Sequence, residues 1–119
     1  MKLLDILSEI KVKGSGPTGR MAKEFTVIYS YSSRNDTYDY TASTVVASSA
    51  RGALIGYFIS TGSEYQEAVE WVSGIEQHFT HDLYSNGVEV WATDYLFYIV
   101  APGILSNNSI RDILDSYHS

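Results

Sequence analysis

The chain has 119 residues, of which 45% are hydrophobic, with a formal net charge of −6 and no cysteine. That length suits one domain with its own core, and the lack of cysteine excludes a disulfide scaffold, thiolate metal ligands and a cysteine nucleophile. Charge is divided unevenly: residues 1–51 carry seven bases and five acids, whereas residues 52–119 carry nine acids and one base. The acidic balance argues against general nucleic-acid binding. The uneven distribution of charge favours a partner that faces one charged half of the chain and is repelled by the other.

No segment of the sequence predicts a membrane protein. Spanning a bilayer takes roughly 20 apolar residues, and the longest apolar stretches fall far short of that. Asp5 and Glu9 interrupt the first apolar run, which argues against a secretory signal. We therefore expect no membrane association, no cofactor and a cytoplasmic location, which for a viral protein means the host cytoplasm or the virion.

The first 22 residues predict an amphipathic helix followed by a glycine-rich tether. Leu3, Leu7 and Ile10 recur at helical spacing, which predicts a helix over about residues 2–11. Three glycines and a proline follow before residue 22, and this composition indicates a linker. The helix could pack on its own domain or on a neighbouring chain, and the sequence leaves both arrangements open.

The next segment predicts a β-hairpin over about residues 23–46. Polar and apolar residues alternate along it, and a turn centred on Asn35 and Asp36 would pair Tyr31 with Tyr40. The opposite face, rich in Ser and Thr, is expected to meet solvent. This register collects aromatic and apolar side chains on one face: Phe25, Val27, Tyr29, Tyr31, Tyr38 and Tyr40. That face could pack under a helix, bind a protein, or stack single-stranded nucleic acid.

Two helices are predicted after the hairpin. Ser48 or Ser49 can cap a helix over about residues 50–60, although two glycines keep a buried strand over 54–60 as an alternative. A capping box of Ser63 and Gln66 predicts a longer helix over about residues 63–79. Its core stripe runs from Tyr65 to Phe79, and Glu64 and Glu67 face outward.

The last third predicts a second hairpin and a final helix. Residues 88–101 are apolar on both faces, which is typical of a central hairpin covered on both sides. A capping box of Ser109 and Asp112 opens a helix over about residues 109–117. The fold class is therefore α+β, in a single domain over 1–119: an antiparallel sheet of two hairpins (about 23–46 and 88–101) packed with helices (about 2–11, 50–60, 63–79 and 109–117).

One cluster could carry metal chemistry. His78 and His81 are three residues apart, so on a helix they could reach one ion together with Asp82. The alternative is structural, because histidines near a helix C-terminus interact favourably with its dipole.

Three functions follow from these features. The favoured one is a non-catalytic interaction subunit of a larger assembly, homomeric or viral, that binds a protein partner or itself. The alternatives are an acidic inhibitor occupying a basic, nucleic-acid-binding site on another protein, and a small metal-dependent enzyme using His78, His81 and Asp82. For the favoured function the candidate partner-binding residues are Leu3, Leu7, Ile10, Tyr29, Tyr31, Tyr38, Tyr40, Glu64 and Glu67.

Overall fold

A computed structural model describes residues 22–32 and 38–118. The predicted helix over 2–11, most of its tether and the first turn lie outside these residues. The strands are β1 (Lys23–Ser32), β2 (Tyr38–Ala47), β3 (Thr80–Leu83), β4 (Glu89–Ala92) and β5 (Leu96–Pro102). The helices are α1 (Ala50–Ser60), α2 (Tyr65–His78) and α3 (Asn107–His118).

The five strands form one antiparallel sheet in the order β2-β1-β5-β4-β3. The α+β fold class is confirmed. β5 joins the two predicted hairpins, because it pairs with β1 on one side and with β4 on the other. β5 is thus the middle strand, in agreement with the prediction that its hairpin is central.

Apolar side chains cover both faces of the sheet. On one face α1 and α2 pack over the larger core, which includes Val27, Leu54, Val72 and Trp91. On the other face α3 packs over a smaller core that includes Ile28 and Ile99. Because consecutive strand residues point to opposite faces, Val27 and Ile28 belong to different cores.

The predicted register of the first hairpin is wrong by one residue. Tyr31 lies opposite Asp39, and Tyr40 lies opposite Ser30. A one-residue shift moves every side chain of a strand to the other face, so Tyr40 packs on the α3 side. The physical reason is that both faces of the sheet are covered, so that Val45 and Ala47 are buried in the α1 core while Tyr40 packs against the α3 core.

The prediction that the second face of this hairpin meets solvent is also wrong for β1. Thr26, Ile28 and Ser30 are all buried. The hydroxyl of Thr26 donates to the carbonyl of Gly103 at 2.7 Å and accepts from the backbone N–H of Leu105 at 3.1 Å. A threonine on this face is therefore used to fix the connection that leads into α3.

The helix over residues 50–60 is confirmed, and the alternative strand over 54–60 is wrong. Ser49 is the N-cap, and its hydroxyl accepts from the backbone N–H of Gly52 at 3.0 Å. α1 ends in a tight reversal in which Gly62 has a φ of 115°, a conformation that glycine adopts without strain.

Two helices are capped by other residues than those predicted. α2 begins at Tyr65, with Glu64 and Glu67 as its capping box in place of Ser63 and Gln66. α3 begins at Asn107, two residues before the predicted start, and the hydroxyl of Ser106 accepts from the backbone N–H of Ser109 at 3.2 Å. Ser and Glu occur at several adjacent positions, so composition alone does not select which residue caps.

β3 is the element that the sequence did not predict. α2 ends at His78, and the chain reverses at Phe79 to pair Thr80–Leu83 with β4. All four residues of β3 are exposed, so the strand lacks the apolar alternation by which strands are recognised.

Candidate functional site

An open groove lined almost entirely by apolar atoms lies between α2 and the turn that joins β4 to β5. Its volume is about 500 Å³, and we call it the aromatic groove. Three of its aromatic residues are substantially exposed: Trp71 at 46%, Phe79 at 50% and Tyr95 at 83%. The lining residues are Trp71, Phe79, Thr93, Asp94, Tyr95 and Leu96.

Trp71 is held by the core behind it. Its ring meets that of Phe58 edge-on, with the centroids 6.5 Å apart. Its indole lies beside the side chain of Tyr98, which is itself buried. The part of the Trp71 ring that faces the groove is exposed and offers mainly apolar contact.

The opposite wall of the groove is a turn fixed by local hydrogen bonds. Thr93 donates its backbone N–H to the carbonyl of Leu96 at 2.9 Å. Its hydroxyl accepts from the backbone N–H groups of Tyr95 and Leu96, at 3.3 and 3.1 Å. These hydrogen bonds hold Tyr95 at a turn position that polar residues usually occupy.

The surroundings of the groove are acidic. Asp94 lines it, and Glu67 lies one helical turn before Trp71 on the same side of α2. The lysines and arginines of the described segments are elsewhere: Lys23 begins β1, Arg51 is paired with Glu76, and Arg111 lies over the ring of Tyr40.

Tyr98 links the groove to the core and has a perturbed acidity. Burial, followed by the proximity of Tyr29, raises the pKa of Tyr98 to about 12 from an ordinary value of 10.0, and the hydrogen bond from Trp71 opposes this rise. The phenol of Tyr98 therefore stays neutral well above physiological pH.

The predicted tyrosine surface is divided between the two faces of the sheet. Tyr29 stacks on Tyr98 with the ring centroids 5.3 Å apart, and Tyr31 continues this series toward solvent. Tyr31 pairs with Leu96, a residue of the aromatic groove, so it lies beside the groove. Tyr40 is on the opposite face beneath Arg111, and for Tyr38 the structure describes only its pairing with Ser32.

Of the other predicted binding residues, the structure describes the two glutamates but not the three residues of the first helix. Glu64 and Glu67 are exposed at the start of α2, where the backbone N–H of Glu64 donates to the carboxylate of Glu67 at 2.9 Å. Both acids are thus engaged in a helix cap beside the groove. Leu3, Leu7 and Ile10 lie outside the described residues.

The helical geometry proposed for His78 and His81 is wrong, because His81 lies on β3. Its Nε2 atom is 2.9 Å from a carboxylate oxygen of Glu89, and its ring stacks on Trp91 with the centroids 4.3 Å apart. Within the two described segments, no three side chains of His, Asp or Glu are grouped so that they could hold a metal ion.

Glu76 is the centre of a polar network that joins four elements. It accepts the indole N–H of Trp91 at 2.9 Å and the Nε–H of Arg51 at 3.1–3.2 Å. Arg51 also donates to the hydroxyl of Ser73 at 2.8 Å. These bonds tie α1, α2 and β4 together, with His81 of β3 stacked alongside, and this arrangement has the character of a structural clamp.

The main residues of the aromatic groove were not predicted as a site. Phe79 was assigned to the core stripe of α2, but it is the C-cap of the helix and half exposed. Two signals were available in the sequence. Trp71 lies beside the stripe of Ala68, Val72 and Ile75 rather than within it, and Tyr95 is an aromatic residue in a hairpin turn.

Comparisons with protein-family models, with curated proteins and with solved structures give no match. Within residues 22–32 and 38–118, no helix combines the length and apolar character needed to span a membrane.

Proposed function

We propose that this chain is a non-catalytic protein-binding subunit, and that the aromatic groove takes an apolar segment of its partner. The observation that carries the proposal is the exposure of three large aromatic side chains around one apolar groove of about 500 Å³. Aromatic residues of this kind dominate the binding energy of protein interfaces, and contiguous exposed apolar patches are uncommon on monomers.

The composition of the lining favours a protein segment over a small metabolite. Small-molecule sites usually have several polar groups that converge on the ligand and orient it. Here, besides the ring polar atoms of Trp71 and Tyr95, only Thr93 and Asp94 have polar side chains, and the hydroxyl of Thr93 is used by its own turn. Apolar contact over an open surface is the main interaction that such a groove can offer.

The charge around the groove defines the partner further. Asp94 and Glu67 place negative charge at its margin, and no lysine or arginine of the described segments lies there. The partner segment would therefore carry two or three large apolar side chains with Lys or Arg beside them.

A peptide selection tests this proposal directly. Random peptides displayed on phage are selected against the full-length chain alone, and the affinity of the enriched peptides is then measured for the wild type and for its Trp71→Ala variant. We expect the selected peptides to combine large apolar residues with Lys or Arg, and their affinity to fall at least about tenfold on Trp71→Ala. Ile104→Ala is the matched control, because Ile104 is 63% exposed at the other end of β5.

The same peptides separate the groove from a purely electrostatic surface. Asp94→Asn should weaken binding several-fold at low salt and less at high salt, whereas Trp71→Ala should weaken it at every salt concentration. Equal affinity for the wild type and Trp71→Ala would refute the groove. Loss of all binding in high salt would favour the acidic-inhibitor alternative.

A further inference from the structure

The two edges of the sheet differ in a way that points to self-association. β3, at one edge, has only four residues and includes His81 and Asp82. β2, at the other edge, has ten residues, and its stretch from Tyr40 to Ala47 contains neither a charge nor a proline. Proteins usually protect sheet edges with short strands, charges, prolines or bulges, and β2 has none of these over that stretch.

We propose that the outer edge of β2 binds β2 of a second copy of this chain, antiparallel to itself. Within residues 22–32 and 38–118 no strand pairs with the outer edge of β2, and in our proposal the outward-facing backbone groups of this edge pair with another strand. Thr41, Ala42 and Thr44 are exposed at its centre, and pairing across this edge would make one continuous ten-stranded sheet.

A second copy is favoured because the edge is complementary to itself. A twofold axis at Ser43 places Tyr40 opposite Val46 and Ala42 opposite Thr44 of the other copy. The first pair is aromatic with β-branched, a favourable cross-strand combination, and no like charges meet between residues 40 and 46.

The distribution of charge permits this approach despite the net charge of −6. β1 and β2 together carry one base, Lys23, and two acids, Glu24 and Asp39. The remaining acids of the described segments are on α2, β3, β4, α3 and the β4–β5 turn. Two copies joined through β2 would therefore meet along a strand that carries a single charge, Asp39, near its beginning.

The test is sedimentation of the full chain over a range of concentrations. We expect the wild type to approach twice the 13.3 kDa of one chain as concentration rises. Thr44→Lys brings two lysines into diagonal contact across the axis, and we expect it to raise the dimer dissociation constant at least tenfold. Thr80→Lys is the matched control, because it makes the same exposed substitution on β3, and it should dimerise like the wild type.

Cross-linking gives a second readout that does not depend on loss of binding. The chain has no cysteine, so Ser43→Cys introduces one thiol at the proposed axis. Mild oxidation should link Ser43→Cys chains into dimers faster than Thr80→Cys chains. Thr44→Lys and Thr80→Lys should give the same circular dichroism spectrum, which shows that both remain folded.

Three results would overturn the proposal. A wild type that stays monomeric at every concentration would show that β2 recruits no second copy. Dimerisation of a folded Thr44→Lys with wild-type affinity would place the interface elsewhere. Failure of Ser43→Cys to cross-link faster than Thr80→Cys would reject the axis at Ser43.

Discussion

The two tryptophans of this chain are associated with the same helix but have opposite surroundings. Trp91 is fully buried, donates to Glu76 of α2 and stacks on His81. Trp71 belongs to α2 itself, lies beside Tyr98 and leaves 46% of its surface exposed. One helix thus serves two tasks: Glu76 secures the sheet through a satisfied polar network, and Trp71 presents an apolar surface to the aromatic groove.

The two tryptophans should differ most in how much each contributes to the free energy of unfolding. We expect Trp91→Ala to lower the free energy of unfolding by about 3–5 kcal/mol, because it opens a large cavity and leaves Glu76 without its indole donor. Trp71→Ala should cost about 1–2 kcal/mol, since much of its ring is already in water. Urea unfolding followed by circular dichroism measures both, and equal losses would contradict the division of roles.

Alkaline pH should weaken the end of the core that supports Trp71. The neutral phenol of Tyr98 is favoured in the folded state, because its pKa rises from 10.0 to about 12. Its stabilising contribution is fully present below pH 10 and is lost as the pH rises through 12. A two-unit difference corresponds to about 2–3 kcal/mol.

Melting temperatures between pH 9 and 12 measure this loss. Tyr98→Phe removes the ionisable group, so its melting temperature should fall less steeply than that of the wild type over the same interval. Parallel pH profiles for the two proteins would show that other tyrosines determine the alkaline transition.

Replacing Glu76 tests the polar network that it forms with Arg51 and Trp91. We expect Glu76→Ala to cost about 1–3 kcal/mol, because Arg51 and the buried indole of Trp91 both lose their acceptor. Glu70→Ala is the control, since that carboxylate is exposed and bonded only to Gln66 among its described contacts, and its loss should cost under about 0.5 kcal/mol. Similar unfolding curves for the two variants would reduce Glu76 to an ordinary surface acid.

The sequence predicted the elements whose periodicity carries information about burial. α2 follows from the apolar spacing of the face that it buries, α1 from its serine cap, and the central hairpin from strands that are apolar on both faces. The register of β1 and β2 did not follow, since alternation is compatible with two pairings and only the packing of Val45 beneath α1 selects one. β3 was missed because an exposed strand has no apolar face, and its pairing with β4 forms in three dimensions.

The aromatic groove was missed for a related reason. Trp71 and Tyr95 are 24 positions apart, and nothing in local periodicity indicates that they share a surface. Their meeting depends on β4 and β5 being carried under α2, which is a property of the sheet order. The sequence shows which residues are aromatic, but it does not show that they lie together on one surface.

The smallest effect is spectroscopic, and it distinguishes the two tryptophans without large changes in stability. Trp71→Phe leaves Trp91 as the single tryptophan, and Trp91→Phe leaves Trp71. The chain with Trp91 alone should emit at shorter wavelength and resist quenching by acrylamide, whereas the chain with Trp71 alone should emit at longer wavelength and be quenched several-fold more strongly.

Binding of a selected peptide turns this contrast into a direct readout of the groove. Covering Trp71 should shift its emission to shorter wavelength and reduce quenching, because water is displaced from its exposed face. Trp91 is already enclosed by α2 and His81, so its emission should not change. A change confined to Trp91 would mean that the peptide acts on the polar network, and recognition would then belong to the surroundings of Glu76, which we assign to stability.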